Sequence, residues 1–371
     1  MPRTYPDLRF DDYATGGAAE LACWEMDPAE LFVPRDLAPP ADPPEPLDAL
    51  CRAHLGSPIA RLETPGGERR QSVRLHLQDG RRLIATHRGL PNAAAVEAHL
   101  LQALGAAGAP VPAVRYFDGR VLLQADVGGR RLTEALADAD EAAAERLLDA
   151  ALDALHACHH AAGEAGLDGD DTLLPIRPDW IVALLDRPAV IGHALGIAPR
   201  QPDLAGLFEL FAWARRRLVK WDARPGNAAV DADGRVYWFD WEDACFRNWL
   251  DDMVWLLCDE LLPERPAVEQ RLIERHLPRF ADDLPPAAAH EYLACAGVFH
   301  LCVRLGLVLA EKGDGPWRDP ARCLDEDQVG VHPRYVERLC RRGARWAARS
   351  RYTVPLADWF ERVGEALALP A

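Results

Sequence analysis

The stretch of residues 218–257, LVKWDARPGNAAVDADGRVYWFDWEDACFRNWLDDMVWLL, decides the fold of this 371-residue chain. Asp222 and Asn227 stand five residues apart, and Asp240 follows a predicted hairpin that turns at residues 232–234. The loop that carries Asp222 leads into this hairpin, and the second strand of the hairpin ends at Asp240. We therefore expect the three side chains to lie close together.

Two carboxylates and one amide in this arrangement match the needs of phosphoryl transfer. That reaction uses a carboxylate to orient the attacking hydroxyl and accept its proton, and oxygen ligands to hold Mg²⁺ against nucleotide phosphates. Asp222 fits the first role, and Asn227 and Asp240 fit the second with hard oxygen ligands. Asp and Asn also occur in turns that carry no chemistry. Only three asparagines occur in the chain, so Asn227 at this spacing, followed by Asp240 and WE, favours function over turn formation.

Upstream, the sequence predicts a small lobe built mainly of strands. ARLETPGG, SVRLHLQ and RRLIATHR predict three antiparallel strands, and Asp79-Gly80 closes the second hairpin. A helix is predicted at about residues 92–106, and PVPAVRYFDGRVLLQADVGG adds two strands. The order is therefore β-β-β-α-β-β, and the chain becomes mainly helical after Gly129.

The chain divides into three predicted segments. Residues 1–55 are predicted to be an N-terminal extension and a linker, because the six prolines between Pro34 and Pro46 exclude a helix or a central strand. Residues 56–125 form the strand-rich lobe, and residues 126–371 form the helical lobe.

Composition narrows the function classes. The formal net charge of −16 disfavours nucleic acid and anionic membranes as partners, because the field of the protein repels polyanions. No run approaches the roughly 18 apolar residues that span a bilayer, and the N-terminus lacks the apolar stretch of a secretory signal, so we expect a cytoplasmic protein. The nine scattered cysteines form no CxxC pair and indicate reduced core residues.

The 218–257 stretch resembles the catalytic signature of the aminoglycoside phosphotransferase and choline kinase family, HxDxxxxN followed by a short hairpin and DWE. The resemblance implies an α+β, bilobal, protein-kinase-like fold with a small N-terminal antiparallel-sheet lobe, which binds the nucleotide, and a larger, mainly helical C-terminal lobe. It also implies ATP and Mg²⁺ as cofactors, with Asp222 as the catalytic base and Asn227 and Asp240 as magnesium ligands. Asp252 matches a structural aspartate of the family. The likeness covers roughly residues 60–257, including Leu155-His156, which resembles a Leu-His pair of the family.

Two departures from the family pattern stand out. Lys220 replaces the histidine that opens the motif, and it could contact a phosphate, contact Asp222 or project into solvent. The family lysine on the third strand, which pairs with a helix glutamate that Glu97 matches, is replaced by Thr86. Arg88 lies two residues further on the same strand face and is expected to supply the positive charge instead.

Two further segments are predicted to contact the nucleotide. Gly66 and Gly67, between the first two strands, are candidates for the loop that covers the phosphates. Gln124 and Asp126, at the end of the fifth strand, match the hinge that bonds adenine through backbone groups.

Three functions remain open from the sequence. The first is phosphorylation of a small-molecule hydroxyl, and acidic residues such as Asp168, Asp325 and Asp327 would suit an amino sugar. The second is a Ser/Thr kinase that acts on a precursor peptide in natural-product biosynthesis. The third is a pseudokinase that binds nucleotide or serves as a scaffold, which the missing lysine and histidine favour and the retained Asp222 and Asn227 disfavour.

Overall fold

The structure is a computed structural model that describes residues 46–64, 72–87, 91–168, 180–213 and 216–368. Gly66, Gly67, Arg88 and residues 1–45 lie outside these ranges, so the predictions for them stay predictions. Within the described ranges the chain forms an N-terminal lobe around one antiparallel sheet and a larger helical lobe. The predicted bilobal α+β fold is confirmed.

The N-terminal lobe is a five-stranded antiparallel sheet in the order β1-β2-β3-β5-β4. A helix between β3 and β4 completes the predicted β-β-β-α-β-β order. The elements are β1 (Ile59–Glu63), β2 (Ser72–Leu77), β3 (Arg82–His87), α2 (Pro91–Ala106), β4 (Val114–Phe117) and β5 (Val121–Ala125). Strands β2 and β3 pair with Ser72 opposite Thr86, and this register follows from the tight turn at Asp79-Gly80.

A helix, α1 (Leu47–Leu55), precedes the sheet where the sequence predicted the end of a linker. Its buried Leu50 and Cys51 pack with Leu75 and Leu83 on one face of the sheet. The linker prediction is therefore wrong for this segment. The helix begins directly after Pro46, where proline is tolerated because the first helical N–H groups have no intrahelical partner.

The second face of the sheet is directed at the helical lobe. Side chains alternate along a strand, so Ser72 and Arg74 of β2 lie on the face opposite Leu75. Thr86 of β3 and Gln124 of β5 share the face with them, and all four line a cleft between the lobes. The alternation thus separates a packed face from a face that is available for a ligand.

The helical lobe contains eleven α-helices among the described residues. They are α3 (Leu132–Ala137), α4 (Glu141–Glu164), α5 (Trp180–Leu185), α6 (Arg187–Leu195), α7 (Leu204–Trp213), α8 (Leu250–Leu257), α9 (Pro266–Phe280), α10 (Pro286–Lys312), α11 (Pro320–Asp325), α12 (Pro333–Ala347) and α13 (Ala357–Leu367). Two 3₁₀ turns, at Pro225–Asn227 and Val354–Leu356, interrupt the connections.

Five short strands lie in the helical lobe, and the last four of them belong to the deciding stretch of sequence. They are β6 (Arg130–Arg131), β7 (Arg217–Val219), β8 (Ala228–Val230), β9 (Val236–Trp238) and β10 (Cys245–Arg247). Strands β8 and β9 form the predicted hairpin, β6 pairs with β8, and β7 pairs with β10. Gly129 adopts φ 73° ahead of β6, and a Cβ atom there would lie 1.7 Å from the main-chain oxygen of Val230. Only glycine allows β6 to approach β8 in this way.

Helix α10 is the core helix of the lobe. An 18-residue window of it has a mean hydropathy of 2.0, which is long and apolar enough to cross a membrane, contrary to the expectation that no run approaches this length. However, 78% of that window is buried inside the protein. Packing against neighbouring helices α8, α12 and α6 accounts for the apolar surface.

Candidate active site

The loop after β7 is held in an uncommon backbone conformation. Trp221 and Asp222 adopt φ 49° and φ 48°, in the left-handed region that residues other than glycine rarely occupy. The main-chain N–H groups of Lys220 and Trp221 donate to the two carboxylate oxygens of Asp252, over 2.7 and 2.8 Å. Asp252 is fully buried at the start of α8 and fixes this loop from below. Such strain persists where the surroundings fix it, which is typical of functional sites.

A histidine of α4 completes the support of the loop. His159 Nε2 lies 2.8 Å from Asp252 Oδ2, and its ring stacks on Trp249. The histidine of the predicted Leu-His pair, His156, lies on the same helix, one turn before the histidine that contacts Asp252. His156 instead accepts a hydrogen bond from Arg279, near the surface. The sequence alone did not indicate which of the three histidines of this helix contacts Asp252.

Asn227 binds Asp222 directly. Its Nδ2 donates to Asp222 Oδ2 over 2.7 Å and to the Asp222 main-chain oxygen over 3.0 Å. Only the NH₂ side of the amide donates, so these two bonds fix its orientation and leave Oδ1 on the opposite side. The main-chain oxygen of Asn227 also accepts from Phe239 N, next to Asp240. The structure therefore brings the three residues together as the sequence predicted.

Lys220 lies in the interior, between the two loops. Its Nζ donates to the main-chain oxygen of Asp240 over 2.6 Å and lies 3.4 Å from that of Asp222. The side chain is fully buried, with Nζ 5.8 Å from the Trp241 ring centroid. Of the outcomes that the sequence left open, solvent exposure is wrong, and the contact with Asp222 is to its main chain. The geometry is that of a positioning residue.

Arg224 was not predicted from the sequence, although it stands two residues after Asp222. Its guanidinium forms a bidentate pair with Asp327, at 2.8 and 3.3 Å, and its Nε lies 3.5 Å from Asp222 Oδ1. Burial lowers the pKa of Arg224, but the carboxylates of Asp327 and Asp222 outweigh this effect and hold the pKa above its usual range. Arg224 therefore stays cationic beside the candidate base.

The cleft between the lobes gathers most of the predicted site residues. Its lining includes Thr86, Glu97, Gln124, Asp126, Asn227 and Asp240. Asp240 lies just after β9, and its own backbone adopts φ 63°. Carboxylate and amide groups from the helical lobe thus face the polar side of the N-terminal sheet.

The third strand shows how the missing lysine is accommodated. Thr86 is buried, and its Oγ1 lies 2.9 Å from Ser72 Oγ on the neighbouring strand. Glu97 is also buried, and its Oε1 accepts a hydrogen bond from the main-chain N–H of Trp241 over 3.1 Å. In this protein, Glu97 therefore ties α2 to the residue that follows Asp240.

Arg74, a cationic residue on β2, also lines the cleft. It was not among the residues predicted from the sequence. Arg74 Nε lies 3.0 Å from Asp126 Oδ2, and Gly128 N donates to Asp126 Oδ1. Strand alternation in SVRLHL puts Arg74 on the polar face with Ser72, and this was the available signal. The predicted hinge residue Asp126 is thus engaged through its side chain as well as its backbone.

Comparison with known proteins identifies the fold. The sequence matches no protein-family model and no curated protein. Choline kinase LicA from Streptococcus pneumoniae superposes with a TM-score of 0.50 at 15% identity, over 79% of this chain and 97% of that chain. The chain therefore has the bilobal fold of that kinase.

Two further solved structures are similar at lower scores. Macrolide 2'-phosphotransferase MphH from Brachybacterium faecium gives a TM-score of 0.48 at 16% identity, over 76% of this chain and 96% of that chain. Aminoglycoside phosphotransferase from Alicyclobacillus acidocaldarius gives 0.46 at 13% identity, over 88% and 98%.

Proposed function

We propose that this protein is a phosphotransferase that uses ATP and Mg²⁺ to phosphorylate a hydroxyl of a small molecule. One observation carries the proposal. Asn227 holds Asp222 by a 2.7 Å hydrogen bond and lines the interlobe cleft together with Asp240. The proposed base is thus bonded to one of the two proposed ligands that line the same cleft, an arrangement that suits phosphoryl transfer.

Asp222 is the proposed base. Its Oδ2 accepts from Asn227, and its Oδ1 lies 3.5 Å from Arg224 Nε, so both oxygens are held in fixed positions. In the proposed reaction the acceptor oxygen forms a bond to the γ-phosphorus, and the bond from that phosphorus to the bridging oxygen breaks. ADP leaves with the electron pair, and the hydroxyl proton passes to Asp222.

The donor set at the cleft edge fits Mg²⁺. Asn227 Oδ1 stands opposite the occupied Nδ2, and the Asp240 carboxylate lines the same cleft. Both are hard oxygen ligands of the kind Mg²⁺ takes alongside phosphate oxygens. When bound, the ion would neutralise charge on the nucleotide phosphates. Lys220 and Glu97 support this edge through the main chains of Asp240 and Trp241.

The test measures ADP release from Mg·ATP over panels of hydroxylated metabolites and Ser/Thr peptides. We expect turnover with a small molecule, and Asp222→Asn should reduce it by about 100-fold or more, the typical contribution of a general base. Asp240→Asn should abolish the Mg²⁺ dependence of nucleotide binding. Asp233→Asn, in the exposed β8–β9 turn, is the matched control and should behave as wild type.

Three results would count against the proposal in different ways. Turnover with peptides alone would favour a peptide kinase. A melting temperature that ATP with Mg²⁺ does not raise would favour a scaffold without nucleotide binding. Equal turnover by wild type, Asp222→Asn and Asp240→Asn would show that the site lies elsewhere.

A further inference from the structure

Beside the loop that carries Asp222, five side chains form a connected group that we name the tryptophan–arginine cluster. Its members are Trp180, Trp221, Arg247, Trp255 and His300. The Arg247 guanidinium carbon lies 3.6 Å from the Trp180 ring centroid and 5.0 Å from that of Trp221. Trp221 contacts Trp255 at 5.4 Å, and Trp255 contacts His300 at 4.3 Å, between ring centroids. None of these five described side chains lines the interlobe cleft.

The position of the cluster relative to the proposed base is fixed by Trp221. This residue directly precedes Asp222, and its main-chain N–H is held by Asp252. Asn227, which binds the carboxylate of Asp222, lines the cleft, whereas the Trp221 ring packs inside the cluster against Trp255. Trp221 thus joins the cluster directly to the residue that is the proposed base.

Arg247 differs from other arginines of this lobe. Arg217, Arg224 and Arg304 each lie within 3.0 Å of a carboxylate oxygen. Arg247 has no ion pair with any carboxylate among the described residues, and its buried Nε has no hydrogen-bond partner there. Its guanidinium is instead held between two tryptophan rings, an arrangement that orients a cation without neutralising it.

One buried acid on α8 interacts with this charge without pairing with it. Asp251 interacts with Arg247 electrostatically but forms no ion pair with it. Both carboxylate oxygens of Asp251 accept from the hydroxyl of Tyr292, at 3.1 and 3.2 Å. The positive charge of Arg247 is thus left for another partner.

Three further polar nitrogen atoms of the cluster are buried. The indole nitrogens of Trp180 and Trp255 and Nε2 of His300 are buried and have no hydrogen-bond partner in the described part of the chain. Indole N–H groups only donate, and buried polar groups of this kind are nearly always paired in native proteins. Burial, followed by the charge of Arg304, lowers the pKa of His300 to about 3, so this imidazole is neutral. The cluster therefore offers one cation and two indole N–H donors to an oxygen-rich ligand.

Two of the acids that suggested an amino sugar are engaged elsewhere. Asp168 pairs with Arg217 at 2.9 Å and also accepts from Leu218 N. Asp327 is bound by Arg224. Both acids are therefore already paired with arginines, whereas Arg247 of the cluster has no ion pair among the described residues.

We propose that the tryptophan–arginine cluster is the acceptor site and that the acceptor is a small hydroxylated carboxylate. This inference rests on the proposed phosphotransferase function. Arg247 binds the carboxylate, the tryptophan rings pack against the body of the molecule, and the hydroxyl reaches Asp222. The electron and proton balance is that of the transfer described above, because the carboxylate itself does not react.

The test uses three probes that differ only in one charged group: para-hydroxymethyl benzoate, the corresponding benzamide and the corresponding benzylamine. Binding to the full chain is measured by titration calorimetry. The benzoate should bind at least about tenfold more tightly than the benzamide, which corresponds to one charge-assisted hydrogen bond, and the benzylamine should bind most weakly.

Variants assign the binding to the cluster. Arg247→Met should remove the preference for the benzoate, and Arg247→Lys should retain part of it because the charge remains. Trp255→Phe keeps the ring but removes the indole N–H, and should weaken benzoate binding with little effect on the benzamide. Arg235→Met changes an exposed arginine in the β8–β9 turn and should have no effect. If Arg247→Met does not fold, Arg247→Lys and Trp255→Phe carry the test.

The inference is overturned if the benzylamine binds as tightly as the benzoate, if none of the three probes binds, or if folded cluster variants keep the affinity of wild type. ADP release with each probe tests the proposed function separately. Release with the benzylamine alone would keep the phosphotransferase and reject the anion site. A benzoate preference without release dependent on Asp222 would keep the anion site and reject the phosphotransferase.

Discussion

Lys220 donates a hydrogen bond from Nζ to the main-chain oxygen of Asp240 over 2.6 Å, and this bond joins the loop that carries Asp222 to the loop that follows β9. The same Nζ lies 3.4 Å from the main-chain oxygen of Asp222. One buried cation therefore links the proposed base and the proposed magnesium ligand through their backbones. Because both contacts are to carbonyl groups, Lys220 acts on the geometry of the site and not on the reacting atoms.

Lys220→Met removes both bonds and leaves the Asp240 carbonyl without this donor. We expect the free energy of unfolding to fall by about 1–3 kcal/mol, the usual cost of a buried polar group that loses its partner. We also expect kcat to fall more than the KM for ATP rises, because the two loops lose their relative position. Urea unfolding and steady-state kinetics check the two effects.

The second lysine of the chain is a matched control. Lys312 also donates to two main-chain carbonyls, those of Gly313 and Gly315, but at the surface and over 3.2 Å. Lys312→Met should change stability by less than about 0.5 kcal/mol, as is usual for surface substitutions. Equal losses for the two variants would contradict the role given to Lys220.

The buried ion pair between Arg224 and Asp327 joins the loop that carries Asp222 to the segment after α11. Asp327→Asn keeps the shape and one accepting oxygen but removes the negative charge, so that Asp222, at 3.5 Å, is left as the ion-pair partner of Arg224. Removal of one partner of a buried pair costs about 3–5 kcal/mol, and we expect the lower end because Asp222 remains. Chemical unfolding measures the change.

An exposed ion pair provides the comparison for this measurement. Asp358 and Arg362 are partners at i and i+4 on α13, with side chains 62% and 42% exposed. Asp358→Asn should cost about 0.5 kcal/mol or less. A loss for Asp327→Asn no larger than this would mean that the Arg224 pair does not anchor the loop.

Local sequence signals predicted most of the fold. The tight turn at Asp79-Gly80 and strict alternation in β2 set the sheet register, and the β8–β9 hairpin followed from its own turn. Helix α1 was missed because nine residues give a short periodic signal directly after a proline-rich segment. The helix is buried by contacts with the N-terminal sheet, whose strands all lie further along the sequence.

The same distinction, between local sequence signals and contacts of residues far apart in the chain, applies to the candidate active site. Asp222, Asn227 and Asp240 lie within twenty residues, so spacing and hairpin geometry sufficed to group them. Arg224 and Asp327 are separated by 103 residues, and no local pattern indicates which distant acid will meet a given arginine. The contacts that hold the site in place are therefore the part that required the structure.

The nucleotide contact of the third strand is tested by a pair of variants. The sequence predicts that Arg88 supplies the missing positive charge, whereas Thr86 is uncharged and bonded to Ser72. Arg88→Ala should weaken Mg·ATP binding by about tenfold, the value of one charged hydrogen bond, and Thr86→Ala should weaken it less. Titration calorimetry gives both constants. The reverse order would mean that a different residue of the strand faces the phosphates.

Asp251 should make stability depend on pH. Burial raises its pKa to about 7, although Arg247 and the hydrogen bond from Tyr292 act against this shift. In the unfolded chain the pKa of Asp is about 3.9, so the folded state keeps its proton to higher pH. The contribution of Asp251 to stability is therefore complete below about pH 4 and is lost as the pH rises to about 7 and beyond.

Asp251→Asn removes this titration and keeps an oxygen that can accept from Tyr292. The free energy of unfolding of the variant, minus that of wild type, should therefore become more positive from about pH 4 to about pH 7 and level off above that, because wild-type Asp251 is then ionised in both the folded and the unfolded state. Urea unfolding across this range measures the difference. Asp233→Asn, in the exposed turn, should give a profile parallel to wild type. If Asp251→Asn is also parallel, Asp251 does not carry a raised pKa, and the charge of Arg247 is balanced by an ionised carboxylate.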